Sequence, residues 1–484
     1  MLKNINNLWL YIGVILFILL DALCIYNECF YLNLLPVIIL IFLIAFFALD
    51  KLLLGIVFLV PLSVPLSEIA PNLPIDMFLP TEPLLAGILL IFIFKIIFEG
   101  NFDKKITTHP VSISIYLYLT WMLLTSITST MPLVSIKFIV SRLWFIVAFY
   151  FLASQLFKNE NNIKQYISFY IYGLIIVVFY SLYRHITYGI FDEKIAHWAS
   201  NPFYKDHTSY GALLTFYIPP AIALIVLKTN SLKEKTFRII VTLILFIGLI
   251  FSYSRAAWVS LLGALFIWFI IRFKIKAKAI LISITIVGII ISVFSSDLIQ
   301  DLKLNKQDSS TKDISQHIKS ISNISTDASN LERLNRWNCA IRMFKEKPLF
   351  GWGPGTYSFK YAPFQIASEK TIISTNNGDM GNAHSEYLGP LAEQGLLGLL
   401  LFLYVIITSI ITGIRVIKNA NNNNIRYFAV AVFLGLCTYY LHGFLNNFLD
   451  TDKASVPFWG FTAMLVVFDI YFSNKKNHIK KEVS

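Results

Sequence analysis

Charged residues are scarce in this chain. Only 14% of its 484 residues are Asp, Glu, Lys or Arg, and 56% are hydrophobic. A typical soluble domain carries about 25% charged residues. The mean hydropathy of +0.67 points the same way. A soluble globular protein of this length has no use for so much apolar surface, so the composition predicts a polytopic membrane protein.

Cysteines and internal repeats are also scarce. The four cysteines show neither a CxxC pair nor the spacing of a metal site, so we predict no metal site and no cofactor. Cys24 and Cys437 lie in apolar runs, where we expect them to be inert packing residues. The first apolar stretch, LWLYIGVILFILLDALCIY, has no small-residue cleavage site. It is therefore predicted to remain as a membrane span.

Hydrophobic runs long enough to cross a bilayer recur along the chain. A spanning helix needs roughly 17 to 22 residues. The weakest candidate, 52–66, is short and contains Pro61 and Pro65, which predicts a broken or re-entrant element. We therefore predict an all-α fold with about twelve to fourteen transmembrane helices. The candidate runs lie near residues 8–26, 31–49, 52–66, 84–98, 111–130, 136–156, 165–186, 210–227, 237–252, 256–271, 279–296, 395–414, 427–448 and 456–473.

Lys and Arg are distributed unevenly among the loops, and this bias predicts the orientation. The loops at 67–82 and 131–135 contain neither residue, whereas the alternate set of loops is rich in both. Because basic loops stay in the cytoplasm, both termini are expected there. The net charge of +12 then reflects topology and not a nucleic-acid partner. The predicted organisation is an N-terminal bundle of about eleven spans (1–296), an extracytoplasmic segment (297–394), C-terminal helices (395–473) and a basic cytoplasmic tail (474–484).

Several cationic groups break this rule on the external side. Arg255 is the only charge in the apolar hairpin FSYSRAAWVSLL, and NPFYKDHTSYGALL supplies Lys205 and His207. Arg142 is predicted in the outer part of the 136–156 span. Each of these side chains either snorkels to the membrane surface or binds an anion carried by a lipid. The sequence alone leaves both interpretations open.

The external segment contains one clear helical pattern. SNLERLNRWNCAIRMFKEKP predicts an amphipathic helix that a capping box at Ser329 and Glu332 begins and Pro348 ends. Arg333 and Arg336 are three residues apart and are predicted to project from one face. The expected apolar stripe consists of Leu334, Trp337, Ile341 and Phe344. The following stretch, GWGPGTYSF, predicts a tight turn with a close approach between backbones.

A second motif, NAHSEYLGPLAEQGLLGLLLFLY, places ionisable side chains directly before a span. It contains His384, Glu386 and Glu393, and the two glutamates are seven residues apart, which would place them on one face of a helix. Farther along, Asp450 and Asp452 form an Asp-x-Asp pair of the kind that holds metal in soluble glycosyltransferases. On the external side no nucleotide-sugar is supplied, so we expect this pair to be structural or to contact an acceptor.

Together these motifs resemble the O-antigen ligase and polymerase superfamily. The resemblance is carried by RLNRWNCAIRMFKEKPLFGWGPGTYSF followed by NAHSEYLGPLAEQGLLGLLLF, with SRAAW before them and GFLNNFLDTDKASVPFWGFTAML after them. It covers roughly residues 200–470. It implies a helical fold related to the lipid-sugar-dependent (GT-C) enzymes, located in the inner (plasma) membrane, with its active site outside the cytoplasm.

The resemblance also implies a reaction. Such enzymes take a glycan from undecaprenyl pyrophosphate and pass it, with inversion and without metal, to a sugar hydroxyl. The acceptor is the lipid A core for a ligase and another lipid-linked unit for a polymerase, and the motifs do not separate the two. The implied general base is His384, and the implied pyrophosphate ligands are Arg255 and Arg333. An imidazole suits this role because its ordinary pKa is about 6.5.

The remaining candidate ligands for pyrophosphate or glycan are Arg142, Lys205, His207, Arg336 and Glu386. Lys205 stands near the point where a ligase is expected to offer a further arginine, and an ammonium lacks the bidentate fork of a guanidinium. A rival interpretation is a transporter or flippase of lipid-linked oligosaccharide, in which cationic groups would guide phosphate from binding sites near the membrane midplane. The depth of Arg142 and Arg255 in the membrane separates these two hypotheses.

Overall fold

The computed structural model describes most of the chain. The described residues are 7–27, 32, 35–36, 39, 43–44, 47–70, 77–100, 102–227, 231–276, 328–371, 374–375 and 381–474. The predicted spans at 31–49 and 279–296 fall largely or wholly outside these residues. So do the start of the predicted external segment and nearly all of the basic tail.

The described structure is almost entirely helical. The chain divides into two compact units at Ile56 and Val57, and the bundle considered below is the second unit. A short antiparallel hairpin pairs β1 (Val64–Pro65) with β2 (Phe78–Leu79), and π-helical turns over Val147–Leu152 join α7 to α8. The helices are α1 (Asn7–Tyr26), α2 (Leu49–Leu59), α3 (Leu66–Ile69), α4 (Thr81–Glu99), α5 (Lys104–Thr107), α6 (Pro110–Ile127), α7 (Pro132–Ile146), α8 (Ala153–Leu156), α9 (Glu160–Tyr188), α10 (Glu193–Ala199), α11 (His207–Val226), α12 (Leu232–Phe251), α13 (Arg255–Arg272), α14 (Ala328–Glu346), α15 (Tyr357–Lys360), α16 (Leu388–Asn419), α17 (Asn423–His442) and α18 (Asp452–Tyr471).

Membrane-spanning helices dominate the part of the chain that the structure describes. Nine of its helices are long and apolar enough to cross a bilayer. This confirms the prediction of an all-α polytopic membrane protein. The predicted span at 52–66 is interrupted: α2 ends at Leu59, the chain continues as a 3₁₀ turn over Val60–Leu62, and β1 follows. Pro61 lies in that turn, where its missing N–H cannot continue a helix.

Three helices form the interior of the bundle. α18 is the most buried span, and α11 and α17 follow it. α17 packs against both α11 and α13, while α16 packs against α6. By contrast, α4 and α13 expose most of their apolar side chains, as expected of helices that face lipid. The N-terminal ends of α11 and α18 and the C-terminal end of α17 therefore bring their adjoining loops together at the centre of one face.

Ion pairs tie the helices together at the opposite end of the bundle. Asp469 of α18 accepts hydrogen bonds from Arg415 at 2.8 Å and contacts His109 at 3.2 Å. Asp103 pairs with Lys158 at 2.6 Å. Burial raises the pKa of Asp103, but its hydrogen bonds and the charge of Lys158 lower it by more, so the pKa lies below its ordinary value. This end carries the basic loops that the sequence predicts to be cytoplasmic.

The stretch GWGPG lies against α16 and the turn between α6 and α7. Gly351 and Gly353 have φ values of +67° and +111°. The N–H groups of Trp352 and Gly353 donate to the carbonyls of Ala392 and Glu393 at 3.2 and 2.8 Å. A side chain on Gly351 would lie 2.3 Å from the backbone carbon of Glu393. The predicted tight turn with a close backbone approach is therefore present.

A small core joins this stretch to α14. It contains Cys339, Ala340, Met343, Tyr357, Tyr361, Ala383 and Ala392. The predicted apolar stripe of α14 does not form the buried face of this helix. Trp337 and Phe344 are only half-buried, and Ile341 is 38% exposed. The buried face instead includes Asn335, which donates to Gln365 and Ser374 at 3.0 and 3.3 Å, and Arg336, whose Nε donates to Glu332 of the same helix at 2.7 Å. Ser329 lies inside the helix and accepts a hydrogen bond from Arg333.

Replacing Gly351 by alanine should destabilise the contact between the GWGPG stretch and α16. A left-handed backbone costs alanine about 1–2 kcal/mol, and the contact with Glu393 adds to this. The same change at Gly87, which has nothing within 4 Å of its added carbon, should leave stability unchanged or slightly higher. Thermal unfolding of the purified protein in detergent should show a lower midpoint for Gly351→Ala only. Equal midpoints would contradict the close approach.

Candidate functional site

Arginine and histidine side chains from five elements meet at one end of the bundle. Arg333 interacts electrostatically with Arg255 and His384, His207 with Arg255 and Arg333, and His442 with Arg333. We call Arg255, Arg333, His207, His384 and His442 the arginine–histidine cluster. Their sequence separations reach 235 positions, so only the fold brings them together.

Helix ends position two members of this cluster. α13 begins at Arg255, directly after a turn in which Tyr253 has a φ of +48°. α11 begins at His207, and the carboxylate of Asp206 caps it by accepting hydrogen bonds from the N–H groups of Thr208 and Ser209, each at 2.8 Å. The positive ends of two helix dipoles therefore point toward the cluster, which favours a negative ligand.

Arg333 is oriented by its own helix and by the loop after α17. Its Nε donates to the carbonyl of Leu445 at 3.2 Å, and one Nη donates to Ser329 and Asn330 at 2.9 and 3.1 Å. The pKa of Arg333 is lowered to about 10, mainly by burial and next by the nearby charge of Arg255. Two like charges held together in a partly buried site make a strong binding point for an anion.

The backbone of His384 adopts an uncommon conformation. Its φ is +48°, its N–H donates to the side chain of Asn382 at 3.1 Å, and its carbonyl accepts from the indole of Trp337 at 3.2 Å. Burial lowers the pKa of His384 to about 4, and Arg333 and Arg336 add to this effect. The imidazole is therefore neutral at pH 7, and it is a weaker base than an ordinary histidine side chain. Strained backbone of this kind is concentrated at functional sites.

The other predicted cations occupy different positions. Arg336 pairs with Glu332 at 2.7 Å and stacks over the ring of Tyr361 at 3.8 Å, and its charge also acts on His384. Arg142 donates to Asp450 and to the carbonyl of Leu449, both at 2.7 Å. Lys205 is exposed beside the cluster. The structure thus brings Arg255, Arg333, His207 and His384 together, leaves Arg336 near His384 but paired with Glu332, and keeps Arg142 outside the cluster.

Glu386 anchors the loop between α17 and α18. Its Oε1 accepts hydrogen bonds from the hydroxyl of Tyr439 at 2.6 Å and from the N–H groups of Phe448 and Leu449 at 2.7 and 2.9 Å. Burial raises the pKa of Glu386 to about 7, and the charge of Asp450 adds to this. Glu386 precedes α16 and Glu393 lies within it, so the two do not share one helix face as the spacing suggested. Both line the same cavity.

The Asp-x-Asp pair of the sequence is divided between two sets of partners. Asp450 pairs with Arg142, whereas Asp452 accepts hydrogen bonds from Ser63 and Thr81 at 2.7 and 2.5 Å. Within the described ranges, no group of three or more His, Cys, Asp or Glu residues is arranged to hold a metal ion.

Sequence reasoning missed three residues around the cluster. His442 is the last residue of α17, and the stretch LHGFLNN around it offered a signal in the form of a histidine at the end of a span. Arg184 donates to the carbonyls of Trp198 and Asn201 at 3.1 and 2.6 Å and so positions the segment before α11. Trp337 holds the carbonyl of His384, a contact that no spacing reveals.

The comparisons with known proteins agree with the sequence motifs. Residues 240–403 match the family described as O-antigen ligase. This confirms the resemblance predicted from the sequence, and the matched range contains Arg255, Arg333 and His384. An uncharacterized protein of Haemophilus influenzae strain Rd is 29% identical over 136 residues, which are 28% of this chain and 32% of that protein. The match thus spans about a third of that relative's length.

The electrostatic link between Arg333 and His384 can be measured directly. Removing a positive charge favours the imidazolium, so Arg333→Gln should raise the pKa of His384 by roughly half to one pH unit. Arg342→Gln is the matched control, because Arg342 lies on the same helix but pairs with Glu369 and the carbonyl of Phe364. Histidine NMR titration, assigned by difference against His384→Asn, gives the pKa. An unchanged pKa in Arg333→Gln would contradict the proximity.

Proposed function

Starting from the match of residues 240–403 to the O-antigen ligase family, we propose that this chain is a membrane glycosyltransferase that moves a glycan from a polyprenyl pyrophosphate to a sugar hydroxyl. The observation that carries the proposal is the convergence of Arg255, Arg333 and His384. A neutral imidazole beside two cations provides both a base for the acceptor and a binding point for the anionic leaving group.

The pyrophosphate of the donor binds between Arg255 and Arg333. Arg255 begins a span, so its side chain can reach a headgroup held at the membrane boundary while the lipid tail remains in the bilayer. A guanidinium makes two parallel charge-assisted hydrogen bonds to phosphate oxygens. As the bond to the sugar breaks, negative charge grows on the leaving phosphate, and the two arginines stabilise it without a metal.

His384 acts as the general base. The acceptor hydroxyl gives its proton to the imidazole as its oxygen attacks the anomeric carbon, and the pyrophosphate leaves from the opposite face with inversion. Bound pyrophosphate would offset the charge of Arg333 and raise the pKa of His384. The base therefore becomes stronger once the donor is in place. A positioned base of this kind contributes about 10²–10⁴-fold to the rate.

The site is assigned to the extracytoplasmic face. The opposite end of the bundle carries the loops rich in Lys and Arg, which by the positive-inside rule remain in the cytoplasm. Both termini are then cytoplasmic, and lipid-linked glycan reaches the site from the outer leaflet of the inner membrane. Lys205, exposed next to His207, is suited to steer the donor headgroup as a point charge.

One observation favours the transport hypothesis. Arg142 lies ten residues after Pro132 at the start of α7, which corresponds to about 15 Å along the helix and so to the middle of a bilayer. Its guanidinium, however, is occupied by Asp450 and the carbonyl of Leu449. Arg255 lies at the end of its helix. The cations of the cluster are thus near one face, which favours transfer over transport.

Whether the enzyme is a ligase or a polymerase depends on its acceptor. Deletion of the gene followed by analysis of surface glycan separates the two. A polymerase mutant would accumulate single repeat units on the carrier lipid, whereas a ligase mutant would accumulate long polymer there.

Substitution of Arg255 tests the proposal. If Arg255 binds pyrophosphate through two parallel bonds, Arg255→Lys should lose most of the transfer activity and Arg255→Ala nearly all of it, at least 10²-fold. Arg272→Lys at the other end of α13 is the matched control and should retain activity, because a snorkelling lysine replaces a snorkelling arginine. Transfer from a lipid-pyrophosphate donor by the purified protein gives the rates. Near-normal rates for Arg255→Lys would reject the bidentate role.

A further inference from the structure

A cavity lies beside the arginine–histidine cluster. Its volume, including its open mouth, is about 770 Å³. Its lining comes from α6, α7, α15, α16 and α18 and from the loops that adjoin them, and includes Tyr118, Arg142, Glu386, Gln394, Asn447 and Trp459.

Three residues that line this cavity each have a buried polar atom without a hydrogen-bond partner. These atoms are Oε1 of Gln394, Oδ1 of Asn447 and Nε1 of Trp459. The side chains of Gln394 and Trp459 are 1% and 0% exposed. A buried polar group left without a partner costs about 1–3 kcal/mol, so the cavity is complementary to a ligand that both donates and accepts hydrogen bonds.

The charges that line the cavity exclude an anion. Glu386, Glu393 and Asp450 contribute carboxyl groups, and the cation in the lining, Arg142, is already engaged by Asp450 and Leu449. A phosphate or carboxylate would be buried here without a counter-charge, which is strongly unfavourable. A sugar ring satisfies the requirements, because it is uncharged and its hydroxyls both donate hydrogen bonds to, and accept them from, amide and carboxyl groups.

The segment at 382–386 borders the cavity. Asn382, Ser385 and Glu386 line it, and the imidazole of His384, in the same segment, interacts with Arg333 and Asp206. A sugar in the cavity therefore lies against the loop that carries the proposed base.

We propose that this cavity binds the acceptor sugar, and that it selects a ring that is uncharged or carries an amino group over one that carries phosphate or carboxylate. The assignment to the acceptor rests on the proposed function. The binding site and its selectivity rest on the cavity itself.

The test uses the purified full-length protein in nanodiscs and saturation-transfer difference NMR. The probes are a panel of neutral methyl glycosides and N-acetylglucosaminides at millimolar concentration, the matching methyl uronides, and inorganic pyrophosphate. We expect signals from one or more neutral glycosides, signals at least tenfold weaker from the matching uronide, and no displacement of glycoside by pyrophosphate.

Two substitutions locate the binding. Gln394→Met keeps the volume of the side chain but removes its amide, and should weaken glycoside binding at least tenfold at an unchanged unfolding temperature. Arg333→Gln should retain glycoside binding and lose pyrophosphate binding. If Gln394→Met is unstable, Asn447→Leu serves in its place.

Four results would overturn the inference: no binding by any neutral glycoside, equal binding of the uronide, displacement by pyrophosphate, or full binding by the cavity variants. A failure of the proposed function gives a different result. In that case the wild-type protein would bind glycosides in a Gln394-dependent manner but transfer no glycan. Transfer without glycoside binding would reject only the cavity.

Discussion

The like charges of Arg255 and Arg333 are held together at one end of the bundle, and this constraint explains most of the site. Their proximity lowers the pKa of Arg333, and Arg333 in turn lowers the pKa of His384. Two cations kept close by helix ends and carbonyl contacts are stabilised by an anionic ligand. In the proposed reaction that ligand is the donor pyrophosphate, and its arrival also prepares the base.

The buried carboxyl group of Glu386 and the glycine at position 351 maintain the arrangement of the loops around the cluster. Glu386 holds the loop after α17 through three hydrogen bonds to one oxygen, and that loop supplies the carbonyl of Leu445 that orients Arg333. Gly351 lets the GWGPG stretch lie directly on α16. The same loop and the same helix enclose the cavity. The proposed donor and acceptor sites are therefore built from shared elements, with His384 in the segment that borders the cavity.

The sequence predicted the spans well because long apolar runs are a local signal. It also singled out Arg255 and His384, since charges at the external ends of spans are rare. It failed for side chains whose partners are distant: Trp337 looked like part of an apolar stripe. The buried face of α14 was wrong for the same reason, because Asn335 is bonded to the distant Gln365 and Arg336 lies over the distant ring of Tyr361. The cavity has no sequence pattern at all, since its lining comes from five helices and their loops.

The most direct test of the account is transfer by a variant that lacks the base. His384→Ala and His384→Gln, purified and reconstituted with a glycan on polyprenyl pyrophosphate and an acceptor, should bind the donor with near wild-type affinity. They should lose at least 10²-fold in the rate of glycan transfer and of polyprenyl pyrophosphate release. Wild-type rates in both variants, with donor binding intact, would contradict the role of His384 and with it the proposed mechanism.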